Sequence, residues 1–195
     1  MKIAFFDFDG TITYGDSFAK FLKFVLGARF YIKILQNLHI LILYKLNIID
    51  NATTKQKILK SCLGGKSWAD ISKKCDEFVE FLESYCKDSA KSKLFWHKSE
   101  GHKVAIVSAS FEQYLRPLCD KWGIDLMATS MEIKDGVITG RFDKPNCYGA
   151  QKVARIKEKY DLSAFECIYV YGDTRGDKEM LELASPNCGF YRIFS

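Results

Sequence analysis

The sequence predicts an α/β protein, a parallel sheet core flanked by helices, with an all-helical insertion after the first strand. Three observations point there. From Lys103 onward, short apolar runs alternate with helical patterns, the signature of strand–helix–strand units. The first apolar run, at Ile3 to Phe6, ends abruptly in Asp7-Phe8-Asp9-Gly10, where an α/β sheet places its ligands. Between residues 15 and 87 the only periodicity is helical. The expected organisation is therefore a core from residues 1–14 and 88–195, interrupted by a helical domain at 15–87.

Taken in order, the first strand is apolar throughout, as a strand covered on both faces must be. In extended chain, residues two apart face the same side, so Asp7 and Asp9 share a crevice while Gly10 turns the backbone away. Asp16 to Leu26 has helical spacing, with Asp16 or Ser17 as a cap and Gly27 as a stop. Tyr31 to Ile49 is apolar but interrupted by Lys33, Gln36, Asn37, His39, Lys45 and Asn47, which is too polar for a spanning helix. Further helices are expected over Thr53–Cys62, Trp68–Tyr85 and Ser89–Lys98. A strand follows at Lys103–Ser110, then a helix over Glu112–Trp122 bent or bounded by Pro117, and a strand at Asp125–Thr129. Asp135-Gly136 between two β-like runs marks a hairpin. A helix over Gly149–Tyr160, a strand at Cys167–Tyr171, a helix over Arg175–Ala184 and a strand at Gly189–Phe194 complete the pattern. Hinges are expected near Tyr14-Gly15 and Lys87-Asp88.

At 195 residues and 48% hydrophobic content the chain buries a substantial core. Its seven cysteines include no CxxC pair and no zinc-like grouping, so they read as reduced thiols of a cytoplasmic protein. The apolar run before Asp7 is too short for a signal peptide. His39, His97 and His102 lack ligand spacing and read as surface or packing residues. The net charge is +5, but between Lys20 and Lys66 nine basic residues meet one acid, Asp50. Those bases are interleaved with aliphatic residues rather than stacking aromatics, so no nucleic acid is expected as partner.

Polar side chains at several strand ends should converge: Asp7 and Asp9, Ser108, then Asp173 and Asp177. Lys152, on the helix after the hairpin, reaches the same crevice. An aspartate is a feasible nucleophile toward phosphorus, because two displacements replace one difficult step. Anionic nucleophile and phosphate repel each other, so the site needs compensating charge, which a magnesium ion held by oxygen ligands and a lysine can supply. Asp7, Asp173 and Lys152 suit those parts.

Asp7-Phe8-Asp9-Gly10-Thr11, Ser108, Lys152 and Gly172-Asp173-Thr174-Arg175-Gly176-Asp177 resemble, in order and spacing, the four motifs of the haloacid dehalogenase superfamily. The resemblance implies a Rossmann-like core with an inserted helical cap and a phosphatase using Mg2+. It implies that Asp7 is the nucleophile and Asp9 the general acid, then base. Thr11, Ser108 and Ala109 would hold phosphate oxygens, and Lys152 would neutralise nucleophile and phosphate. Asp7, the Asp9 carbonyl and Asp173 would bind the metal, with Asp177 supporting and Gly10 making the turn.

The helical insertion and Asn146-Cys147-Tyr148-Gly149-Ala150-Gln151-Lys152-Val153 are similar to the phosphoserine-phosphatase-like branch, in which Asp16 falls at a substrate-contacting position. The cap arginine of that branch has no counterpart, since Arg29 is alone there and poorly placed. Asp16-Ser17-Phe18, followed by an aromatic-rich helix and a long basic apolar stretch, is similar to bacterial phosphatidylglycerophosphatases of the same superfamily. Two substrates follow as alternatives: a lipid phosphate, with peripheral contact at the inner membrane face, or a soluble metabolite such as phosphoserine. Against these stands a non-enzymatic phospho-acceptor signalling module, which also gathers acids, a hydroxyl and a lysine around magnesium. Such a module carries its acceptor on a later strand and lacks a helical insertion.

Overall fold

The computed structural model describes residues 1–195. β1 (Lys2–Phe6) is followed by six helices, α1 (Ser17–Leu26), α2 (Arg29–Gln36), α3 (Leu38–Lys45), α4 (Asn51–Leu63), α5 (Trp68–Glu77) and α6 (Val79–Ser84). Then come α7 (Asp88–Ser99), β2 (Lys103–Phe111), α8 (Glu112–Trp122) and β3 (Asp125–Thr129). The hairpin β4 (Met131–Lys134) and β5 (Val137–Phe142) precedes α9 (Ala150–Lys159), β6 (Cys167–Gly172), α10 (Lys178–Leu181) and β7 (Gly189–Tyr191).

Five strands form one parallel sheet in the order β3-β2-β1-β6-β7. The chain builds outward from β1 in one direction through β2 and β3, then resumes on the other side with β6 and β7. The carboxyl end of β1 is thus the switch point at which an open α/β sheet forms its crevice. Alternation along β1 divides the interior. Ala4 and Phe6 join a 31-residue cluster with the helices of the insertion and α8, whereas Ile3 and Phe5 face a nine-residue cluster containing Ile156 and Met180.

None of the six helices between β1 and α7 adds a strand to that sheet, but the insertion has no separate core. Phe21, Leu59, Phe78 and Leu82 lie in the same cluster as Phe6 and Tyr114. The two expected hinges lie side by side, where Thr13 bridges Cys86 and the Lys87 amide donates to the Ile12 carbonyl at 2.7 Å. The hairpin leans on the insertion as well, with Gly65 donating to Ile138 at 2.8 Å and Ile138 to Lys66 at 3.0 Å.

The structure refines several sequence expectations. The Tyr31–Ile49 segment forms two short helices broken at Asn37, whose buried amide donates to the Lys33 carbonyl and to Ser61 on α4. Trp68–Tyr85 divides into α5 and α6 at Phe78, a fully buried ring wedged against Phe21 and Tyr114. Pro117 stays inside α8 without ending it. Helix 175–184 shrinks to a single 3-10 turn, Arg175–Asp177, plus four-residue α10, and the last strand stops at Tyr191. No helix is long and apolar enough to cross a membrane.

Candidate active site

Asp7 lies one residue past β1, where its amide extends the ladder to the Tyr171 carbonyl at 2.9 Å. The chain then curls back, Ile12 and Thr13 both donating to the Phe8 carbonyl. Gly10 makes that curl at φ +84°, and a side chain there would collide with the Asp173 carboxylate. Gly172 ends β6 under the same pressure, since a Cβ would come 2.6 Å from that of Asp177. Gly10 therefore lets the first and last acidic segments approach, and Gly172 lets the last one fold back on itself.

Lys152 is buried on the first turn of α9, and its ammonium donates to Asp7 Oδ1 at 2.5 Å and to Asp177 Oδ1 at 2.6 Å. Burial would lower the lysine pKa, but Asp7 and Asp177 outweigh it and hold the group charged. Asp177 is bound at both oxygens: Oδ2 accepts from the amides of Asp173 and Thr174 and from the Thr174 hydroxyl in a capping box. Burial opposes its charge, yet Lys152 and these bonds pull its pKa below the ordinary carboxylate value. Asp7 is pushed up to about 7, by burial first, with Asp177 and Asp9 adding to it against Lys152.

One oxygen each of Asp7, Asp173 and Asp177 lies within 4.8 Å of the others. Burial also raises Asp173, which carries the hydroxyl bond of Thr11 at 3.1 Å. Three carboxylates thus face one buried ammonium, and a buried charge stays ionised only when paired. A hard divalent cation with oxygen ligands fits this charge deficit.

Asp9 turns away from that cluster. Its Oδ1 accepts from the Ser17 amide at 2.9 Å and its Oδ2 from the Ser110 hydroxyl. Ser17 is in turn bonded to Tyr114 at 2.9 Å, so the carboxyl is fixed by α1, β2 and α8 together. Burial and then Asp16 raise its pKa, against Lys55 and the two serines. A carboxyl so placed can keep a proton to give.

One cleft is lined by Asp7, Asp9, Gly10, Asp16, Ser108, Ala109, Lys152, Asp173 and Asp177. Asp16 caps α1 through a 2.8 Å bond from the Ala19 amide and also lines the cleft. The Thr11 hydroxyl, expected on a phosphate oxygen, bonds to Asp7 and Asp173 here, and the residue lines a neighbouring cavity with Lys87 and Arg192.

Other cleft residues escaped the sequence reading. Lys55 of α4 donates to the Ala109 carbonyl at 2.9 Å, and Asn51, one turn before it, accepts from Asn146 at 3.1 Å. Tyr44, Tyr148 and Arg175 also line the cleft. Ser110 was within reach of inference, because it alternates with Ser108. Lys55 carried no local signal within a run of lysines.

The haloacid dehalogenase-like hydrolase family profile matches residues 4–182. The protein CicA of Caulobacter vibrioides is 34% identical over 194 residues, covering 97% of this chain and 85% of that one. A phosphoserine phosphatase of Archaeoglobus fulgidus is 32% identical over 121 residues, 58% of this chain and 35% of that one. Among solved structures, a Bordetella pertussis protein of unknown function superposes with a TM-score of 0.83 at 23% identity, covering 94% of this chain and 86% of the other.

Proposed function

Because the chain belongs to the haloacid dehalogenase-like hydrolases, we propose that it is a Mg2+-dependent phosphatase that hydrolyses phosphomonoesters through a phosphoryl-Asp7 intermediate. The observation that carries this reading is the buried Asp7–Lys152–Asp177 arrangement in a cleft that Asp9 also lines. An Asp7 oxygen bonds to phosphorus as the ester P–O bond breaks, and Asp9 gives its proton to the departing oxygen. Asp9 then takes a proton from water, whose oxygen attacks phosphorus and releases phosphate from Asp7. Lys152 holds Asp7 in position and balances its charge, while Asp177 holds Lys152.

Asp7, Asp173 and the Asp9 carbonyl would hold Mg2+ beside Asp177, and the donor set supports this, being all oxygen and short of positive charge. When bound, the ion draws the phosphate toward Asp7 and offsets the charge that builds on phosphorus. Ser108 and Ala109, which line the cleft, would hold the phosphate oxygens.

The substrate proposed is a phosphate ester carried by a lipid, such as phosphatidylglycerophosphate. The support comes from α2, α3 and the turn after them. Leu35, Leu46 and Ile48 are 72%, 62% and 64% exposed, and Tyr31, Ile32 and Ile42 join them. Arg29, Lys33 and Lys45 belong to the same segment, and it contains no acid before Asp50. Exposed apolar side chains interspersed along the segment with cations suit an anionic bilayer surface, and α3 also carries Tyr44 into the cleft. The likeness to a phosphoserine phosphatase supports a second reading, a soluble phosphoserine-like metabolite.

Asp7→Asn should abolish Mg2+-dependent hydrolysis of an aryl phosphate and the acid-quenched phospho-Asp7 peptide. Unchanged turnover in that variant would sink the mechanism. Leu35→Asp with Leu46→Asp should lower cosedimentation with anionic vesicles and turnover of the lipid phosphate, leaving the aryl phosphate unaffected. Phosphoserine turnover without vesicle binding would select the soluble reading.

A further inference from the structure

Five of the seven cysteines lie in the apolar interior: Cys62, Cys75, Cys86, Cys119 and Cys147. Burial pushes the thiols of Cys75, Cys86 and Cys119 up to about 12 and that of Cys147 up to about 11, so they are poor nucleophiles. The other two differ in both exposure and company. Cys167 opens β6 and Cys188 directly precedes β7; both are half-buried, and their sulfur atoms are 3.2 Å apart.

That approach is built by backbone rather than by chance contact of mobile side chains. Ile168 and Ser185 exchange bonds, the Ile168 amide donating to the serine hydroxyl at 2.9 Å and the Ser185 amide to the Ile168 carbonyl at 3.0 Å. The Cys188 amide closes a turn onto the Ser185 carbonyl at 2.9 Å, and its own carbonyl accepts from Val170, also at 2.9 Å. Cys188 is therefore fixed opposite the residues just after Cys167. Burial and the neighbouring Cys167 raise the Cys188 thiol, against the charge of Lys2, the β1 register partner of Cys167, so the pairing rests on the held approach of the two sulfurs.

We propose that Cys167 and Cys188 are an oxidative modification site that forms an intramolecular disulfide when a peroxide is the oxidant. One thiolate attacks a peroxide oxygen, the O–O bond breaks, and a sulfenic acid and hydroxide result. The second sulfur attacks the sulfenic sulfur, the S–O bond breaks, and the hydroxyl leaves as water with the remaining thiol proton. Two thiols are oxidised by two electrons and the peroxide is reduced to two waters.

The bond would close the segment from 167 to 188, which contains Asp173, Thr174 and Asp177. It would also tie the three-residue edge strand β7 to β6. That strand leads to Arg192, whose side chain donates to the Asp173 carbonyl at 2.7 Å. Oxidation would thereby secure the last acidic segment of the cleft from the end of the sheet remote from the chemistry.

The test exposes fully reduced full-length protein to hydrogen peroxide, then alkylates it in denaturant and maps the peptides. The expected result is a Cys167–Cys188 cross-linked peptide, loss of two alkylatable thiols per chain, and a Tm higher by about 5–10 °C that dithiothreitol reverses. Cys188→Ser and Cys167→Ser should each show neither the cross-link nor the gain. The proposal is overturned if peroxide leaves all thiols alkylatable, if the cross-link joins other cysteines or two chains, or if Cys188→Ser gains the same Tm.

Discussion

The ammonium of Lys152 donates to Asp7 Oδ1 at 2.5 Å, and both side chains are buried. The same ammonium binds Asp177, so it is the single cation joining carboxylates from two ends of the chain. Lys152→Met should therefore fail in two measurements. Leaving two buried carboxylates unpaired should cost about 3–5 kcal/mol in urea unfolding, and phosphatase turnover should fall at least about 100-fold. Asp177→Asn should retain more stability but still lower turnover, because Lys152 then loses one of its two anchors. Wild-type turnover in Lys152→Met would refute the charge balance proposed for the cleft.

Gly10 offers a test of the acidic cluster that removes no acid. At φ +84° with Asp173 against it, Gly10→Ala forces either the turn or the carboxylate to move. The expected outcome is Mg2+ affinity weakened by about 10-fold or more in calorimetry, with turnover falling in parallel. Wild-type protein should gain Tm on adding Mg2+, since a cation that binds only the folded chain stabilises it. Gly10→Ala should need more metal for the same gain. An equal response in both proteins would place the metal elsewhere.

The acids were legible because each follows an apolar strand, and a strand of that composition has one reason to end in carboxylates. The sheet was legible for the same reason: fully apolar runs separated by helical spacing leave little choice but parallel pairing. The breaks at Asn37 and Phe78 were not, because the hydrophobic period runs through both. A buried amide bonded to α4 makes the first, and a ring wedged between Phe21 and Tyr114 makes the second. Arg175–Ala184 has helical spacing, yet the capping box between Thr174 and Asp177 winds its start into a tighter turn. Lys55 and Asn51 enter the cleft only through packing of α4 on the core, which no local pattern encodes.

Lys55 supplies a prediction about substrate selection. It is brought by the helical insertion to the carbonyl of Ala109, in the cleft that holds Asp9. A charge-assisted bond from such a lysine to an anionic substrate is worth about 1.5–3 kcal/mol. Lys55→Met should therefore raise KM for a lipid phosphate or phosphoserine by roughly 10-fold or more, with a smaller change in kcat. A neutral aryl leaving group should be nearly indifferent to the substitution. Equal losses for both substrate types would show that Lys55 acts on the phosphate or on Asp9 rather than on selection.

His97 makes a prediction about acid stability that is separate from catalysis. Its ring is fully buried, bonded through Nε2 to the Tyr171 hydroxyl at 2.9 Å and through Nδ1 to Nδ1 of His102 at 2.8 Å. Two Nδ1 atoms can share one proton between them but cannot both carry one, so the two rings cannot be charged together. Burial, and then His102 and Lys93, depress the His97 pKa from its ordinary value to about 3. Between about pH 6.5 and pH 3 the unfolded chain binds a proton at this position and the folded chain does not. Stability is therefore full above that window and is lost as pH falls through it, by up to about 1.4 kcal/mol per pH unit from this group. His97→Gln, which cannot be protonated, should be less stable than wild type at pH 7.5, because the hydrogen bonds and packing of the imidazole are lost. The gap should narrow steadily toward pH 4. Urea unfolding of both proteins across that range measures the difference directly, and parallel stability curves would show that His97 takes up its proton equally well in both states.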